Sequence, residues 1–231
     1  MMTSGNQGKS FPLGAAVCLE GANFSIFSKH STAVDLLLFE RVDDSKPSRV
    51  VTLDPLKNRT YHYWHTFVPG VKAGQLYAYR VRGPYAPERG FRFDPDKVLL
   101  DPYGKCVARP PGYSRDAACH RGDNAEVAIK SVVADPSTYD WEDDSPLRRP
   151  FAKTVIYEMH VAGFTRHPSS GITAARRGTY AGLAEKIPYL QDLGVTAVEL
   201  LPVFAFDEQD GPAGLGNYWG YAPLSFFAPH D

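Results

Sequence analysis

The stretch from Gly194 to Tyr221 constrains this chain more than any other. It opens on a short apolar run, Val195 to Val203, placed straight after a helix-like segment that stops at Gly194. A helix, a glycine cap and then a strand buried on both faces is the order found where parallel strands are laid side by side. The run feeds a polar, glycine-rich loop, FAFDEQDGPAGLG, which ends in the aromatic cluster NYWGY. In α/β folds, ligands sit in loops beyond the carboxyl ends of parallel strands, so function is expected here.

The residues just upstream complete the pattern. TVIYEMHV (154–161) is a strand candidate, and a helical pattern runs from Thr179 to about Leu193. Pro188 should kink that helix or divide it in two. Strand, helix and strand make one βαβ unit, whose crossover should be right-handed. Such a unit cannot cover its own apolar faces or its sheet edges. A whole (β/α)8 barrel takes about 250 residues. Residues 151–231 therefore read as the first βαβ portion of an incomplete TIM barrel, and the chain as a fragment.

Residues 10–100 obey a different grammar. NFSIFS (23–28), VDLLLF (34–39), RVVTL (49–53), YHYWHTF (61–67) and LYAYRV (76–81) are short strand candidates broken by turn residues such as Pro69-Gly70. That spacing, without a helical period, predicts an Ig-like β-sandwich. Alternation puts Tyr61, Tyr63 and His65 on one face and His62 and Trp64 on the other. One face must be core, which is the reading for most of these rings and for Tyr77 and Tyr79. Residues 101–150 are rich in proline yet carry Tyr103, Tyr139 and Trp141, which predicts an irregular connector packed against a surface.

Several function classes fall away. A formal charge of −1, with both signs mixed along the chain, recommends neither nucleic acid nor an anionic membrane. Cys18, Cys106 and Cys119 are odd in number and far apart, so they form neither a zinc motif nor a disulfide framework. Free thiols, together with the lack of an apolar leader in MMTSGNQGKSFPLG, point to the cytoplasm. No GxSxG or P-loop occurs, and Gly214, Gly216 and Gly220 follow a strand rather than open a helix, so no cofactor is expected.

The remaining candidates are carboxylates, histidine and aromatics. Glycoside hydrolysis needs two carboxylates about the bond. Glu158 and Glu199 fall one on each strand, but in mid-strand, whereas barrel catalysts cluster at strand ends. Buried structural roles suit them better. Glu158 and His160 share a strand face, but no third ligand makes a metal site. Asp207, Glu208 and Asp210 read as a solvated loop face that could meet sugar hydroxyls or calcium, without the spacing of an EF-hand. The NYWGY cluster is the best site candidate, because its rings can stack on the apolar face of a sugar.

At this point the residues resemble a known family. YHYWHTFVPGVKAGQLYAYRVRGPY (61–85) is similar to the carbohydrate-binding module 48 of starch-active enzymes. TVIYEMHVAGFTRHPSSG (154–171), RGTYAGLAEKIPYLQDLGVTAVELLPV (177–203) and NYWGYAPLSFFAPH (217–230) resemble the barrel start of glycoside hydrolase family 13, and more narrowly isoamylase-type glycogen debranching enzymes. The resemblance covers nearly the whole chain. It implies cleavage of α-1,6 branch linkages in an α-glucan such as glycogen, starch or maltodextrin. The mechanism implied is a retaining one, with an aspartate nucleophile and a glutamate acid/base, and none of the family's catalytic residues has a counterpart in residues 1–231. What carries over is substrate binding: Tyr221 matches the tyrosine that stacks on sugar at the cleavage subsite, and Trp219 and Asn217 match neighbouring positions. Branching enzymes and trehalose-releasing hydrolases are rival relatives; a non-catalytic α-glucan-binding protein is the alternative of a different class.

Overall fold

Short apolar-rich strands broken by turn residues follow one another between residues 14 and 99, and the computed structural model folds them into two facing sheets. It describes residues 2–4, 6–212 and 214–230. In chain order the strands are β1 (Met2–Ser4), β2 (Gly14–Cys18), β3 (Gly21–Phe27), β4 (Ala33–Phe39), β5 (Arg49–Leu53) and β6 (Arg59–Thr60). Then come β7 (Tyr63–Pro69), β8 (Leu76–Ala86), β9 (Phe91–Leu99), β10 (Val107–Ala108) and β11 (Lys130–Val132). One sheet runs β2-β3-β7-β6, and the other β1-β5-β4-β8-β11-β10 with β9 also on β8.

The core between the sheets draws Phe24 and Ile26 from β3 and Trp64 and Val68 from β7. Against them stand Val34, Leu36 and Leu38 of β4 and Tyr77 and Tyr79 of β8. Phe24 meets Tyr77 edge-on at 5.0 Å. Burial of each such side chain is worth about 1.5–3 kcal/mol, which commits the sandwich to this register. Trp64 is wholly buried and its indole N–H donates to the Ser28 carbonyl, so it is a core residue.

β4 is buried on both faces. Its other side chains, Leu37 and Phe39, pack with Ala78, Val98, Ala125 and Ala128 in a second cluster outside the sandwich core. Lys130 is buried with them; its ammonium donates to the carbonyls of Val42 and Ala125 and lies 4.6 Å from the Phe39 ring centroid. Burial lowers its pKa. So the stretch 101–150, expected to be an irregular connector, has regular parts: β11 pairs with β8, β10 pairs with β11, and a short helix α1 (Arg115–Cys119) lies between them.

In the remaining part, β12 (Ile156–Met159) and β13 (Ala197–Leu200) pair in parallel, with Glu158 opposite Glu199. Three short helices connect them: α2 (Val161–Thr165), α3 (Tyr180–Ala184) and α4 (Ile187–Asp192). The hydroxyl of Thr179 caps α3 by accepting from the Gly182 N–H, Pro188 lies in the first turn of α4, and Gly194 takes the left-handed conformation after it. The helical pattern is thus divided at the proline.

The strand at 197–200 departs from the expectation of burial on both faces. Val198 is 46% exposed and Leu200 37%. β12 and β13 pair only with each other among the described residues, and cover is partial: Met159 is buried and Tyr157 meets Phe164 of α2 edge-on at 5.9 Å, while Val198 and Leu200 on the same face stay open. After β13, β14 (Phe204–Phe206) and β15 (Pro223–Pro229) form an irregular antiparallel pair.

Candidate functional site

The β14–β15 pair explains the long loop: it brings residues 206 and 223 together, so that residues 207–222 leave and return at one place. That loop stands beside the carboxyl end of β12, where His160 follows Met159 and caps α2 by accepting from the Gly163 N–H at Nδ1 (3.0 Å). Since Nδ1 is an acceptor there, the ring proton resides on Nε2, which donates to the Tyr218 carbonyl at 2.9 Å. The His160 ring also stacks on Tyr218, with centroids 4.5 Å apart and planes 11° from parallel, and Trp219 meets it edge-on at 6.0 Å. A cavity of about 470 Å³ opens here between α2, the start of α3 and the loop, lined among others by His160, Arg166, Tyr180, Glu208, Asn217 and Tyr218.

The three residues expected to bind sugar divide into two kinds. Trp219 and Tyr221 are 55% and 59% exposed, with their rings open to a ligand. Asn217 is instead occupied by the backbone. Its Oδ1 accepts from the Gly220 N–H (3.1 Å), and its Nδ2 donates to the carbonyls of Tyr221 and of Asp207 (3.3 Å). Gly220 has φ +78°, and a Cβ there would come within 2.9 Å of the Pro202 carbonyl oxygen, so this turn admits only glycine without strain.

Of the three acids expected on a solvated loop face, Glu208 is open to solvent and Asp210 partly so, but Asp207 is not. Asp207 is 1% exposed. Its carboxylate accepts from the Tyr113 hydroxyl (2.7 Å), from Arg115 Nη1 (2.8 Å) and from the Gln209 N–H (2.9 Å). Burial by itself would raise the pKa of this acid; the hydrogen bonds from Tyr113 and Arg115 outweigh it and hold the group below its ordinary value. Glu208 lies 3.5 Å from Arg109 and Asp210 2.9 Å from Arg115. Sequence could not assign these partners, because a carboxylate in a glycine-rich loop carries no sign of an arginine some ninety positions earlier.

Glu158 and Glu199 are placed side by side by the β12–β13 register, but exposed, contrary to the buried roles expected of them. Among the described residues, no group of three or more His, Cys, Asp or Glu is arranged to hold a metal ion. No described helix is long and apolar enough to cross a membrane.

Residues 12–104 match carbohydrate-binding module 48 (isoamylase N-terminal domain). The whole chain aligns with the glycogen debranching enzyme of Serratia proteamaculans at 44% identity, spanning 100% of this chain and 35% of that one. Isoamylase 3, chloroplastic, of Oryza sativa subsp. japonica is 43% identical over 97% of this chain and 30% of its own length. The chain is a homologue of isoamylase-type glycogen debranching enzymes. It spans about a third of the length of these relatives. Among solved structures, a Group B Streptococcus pullulanase superposes with a TM-score of 0.71 at 25% identity, over 96% of this chain and 29% of that one. The pullulanase of Paenibacillus barengoltzii, in complex with maltohexaose and α-cyclodextrin, does so at 0.70 and 26% identity, over 96% and 32%. In this debranching-enzyme homologue, the module-48 sandwich includes strands beyond the matched residues, since β10 and β11 follow residue 104.

Proposed function

We propose that this chain is the α-glucan-binding opening portion of a glycoside hydrolase that cleaves α-1,6 branch linkages. In this reading the sandwich module, expected over residues 10–100, extends through β11, the residues after it up to 150 link it onward, and 151–231 begin a (β/α)8 barrel. The observation that carries the reading is the aromatic platform of Trp219 and Tyr221, exposed on a loop held by Asn217, with Trp219 meeting His160 just past the carboxyl end of β12. Exposed aromatic rings on an anchored loop suit the apolar face of a glucose unit. The open faces of β12 and β13 suit a barrel whose other strands lie in sequence outside residues 1–231.

The chemistry proposed is a retaining displacement, with an aspartate nucleophile and a glutamate acid/base that this chain does not supply. Glu158 and Glu199 are adjacent on paired strands rather than at strand ends, so neither is given a catalytic role. The chain by itself is expected to bind glucan and release no reducing sugar. Two measurements test this. Maltohexaose titration of the wild-type chain against Tyr221→Ala should show binding that weakens roughly tenfold when the stacking ring is removed. A reducing-sugar assay on pullulan should stay at background, and turnover would overturn the assignment of the catalytic acids. Binding without turnover is also what a purely glucan-binding protein would give; debranching by the 231-residue chain joined to the remaining barrel of a relative separates the two.

A further inference from the structure

We propose that the aromatic platform is set in place from the sandwich side of the chain, with Asp207 as the positioning residue that links Tyr113 and Arg115 to Asn217 and so to Tyr221. The inference rests on the reading of Tyr221 as the ring that stacks on glucan. The contacts form an unbroken path. Tyr113 and Arg115 hold the Asp207 carboxylate, and the carbonyl of Asp207 accepts from Asn217 Nδ2. The Asn217 N–H donates to the Glu208 carbonyl at 3.0 Å, and the Asn217 amide then grips Gly220 and Tyr221.

Gln209 doubles the first link: its Oε1 accepts from the Arg115 N–H (2.8 Å) and its Nε2 donates to the Tyr113 carbonyl (2.9 Å). Arg115 meets two acids at once, Asp207 through Nη1 and Asp210 through Nη2, a fork that a lysine could not reproduce.

The arrangement has a functional reading because of what it holds. Trp219 and Tyr221 are more than half exposed, so little packing fixes their rings. The loop carries Gly211, Gly214, Gly216 and Gly220, which leave its backbone little stiffness of its own. Its shape therefore depends on the fixed points, and the most buried of the loop's acids is Asp207. A small displacement of a positioning group can cost a binding site much of its strength.

The test needs one readout that requires no glucan. In a Trp141→Phe background, with Trp64 buried, acrylamide quenching reports chiefly on Trp219. Arg115→Ala should raise quenching and weaken maltohexaose binding roughly tenfold, close to the loss for Tyr221→Ala. Tyr113→Phe should move both in the same direction by less, and serves if Arg115→Ala does not fold. Val51→Ala, which loosens the sandwich core far from the loop, should change neither. Quenching and affinity unchanged in Arg115→Ala, or shifted as much by Val51→Ala, would overturn the inference. If the wild type binds no maltohexaose, the glucan reading fails, and quenching alone still decides whether Arg115 sets the loop.

Discussion

A carboxyl group as deeply enclosed as that of Asp101 costs the fold something when it ionises. It accepts from the Tyr77 hydroxyl and the Tyr103 N–H, while its own N–H donates to Ser131. Burial dominates and raises its pKa to about 6, although both hydrogen bonds to the carboxylate pull the other way. An acid whose folded pKa lies above its unfolded one stabilises most below the unfolded value, and that contribution is lost as pH rises through the folded one. Asp101 should therefore cost stability progressively between about pH 4 and pH 6. Asp101→Asn is expected to lie above wild type in urea midpoint at pH 7, with the gap closing toward pH 4. A gap that did not change with pH would show that Asp101 is not ionising there. The residue scale is also where sequence said least. Trp64 was legible as core because alternation assigned it a face, whereas Asp207 and Asn217 were read by type, and their partners are set by folding.

At the scale of elements, turn and cap chemistry was legible and pairing was not. Thr179, Pro188 and Gly194 announce where helices begin, divide and stop, since each acts on its immediate neighbours. β9 was missed because Pro95 and four charged residues interrupt its pattern, yet it pairs with β8 through an irregular register that tolerates them. The β14–β15 pair was missed because β14 is only three residues long and the register between the two strands is irregular, although FAF and PLSFFAP carry a faint apolar pattern. The loop between these two strands ends on a turn that Gly220 makes possible. Gly220→Ala should cost about 1 kcal/mol or more of local strain and lower maltohexaose affinity, while the unfolding midpoint of the sandwich stays where it was. Unchanged affinity, read by calorimetric titration, would mean that the turn does not place Tyr221.

For the molecule as a whole, the sandwich and the parallel pair answer to different degrees of completeness. The sandwich buries Trp64, Tyr77 and Tyr79 between its own sheets, whereas Ile156, Val198 and Leu200 of the parallel pair remain open. A dye that fluoresces on exposed apolar surface should bind this chain, and Val198→Thr with Ile156→Thr should reduce the signal; full signal in the double variant would place the dye elsewhere. Sequence made this contrast visible through element count alone, since two strands cannot enclose a barrel's interior.

The pairing of β11 with β8 also bears on where the first module can be cut. A scissile boundary after residue 104 would strip Leu76 and Tyr77 of their hydrogen-bonded neighbour and leave Asp101 without Ser131. Residues 1–104 alone should then melt earlier and clump through a bare strand edge, while 1–134 should behave as a soluble unit. The border suggested by family likeness and the border suggested by backbone hydrogen bonds differ by about the length of one hairpin, and only the second keeps the strand pairing of the first module intact.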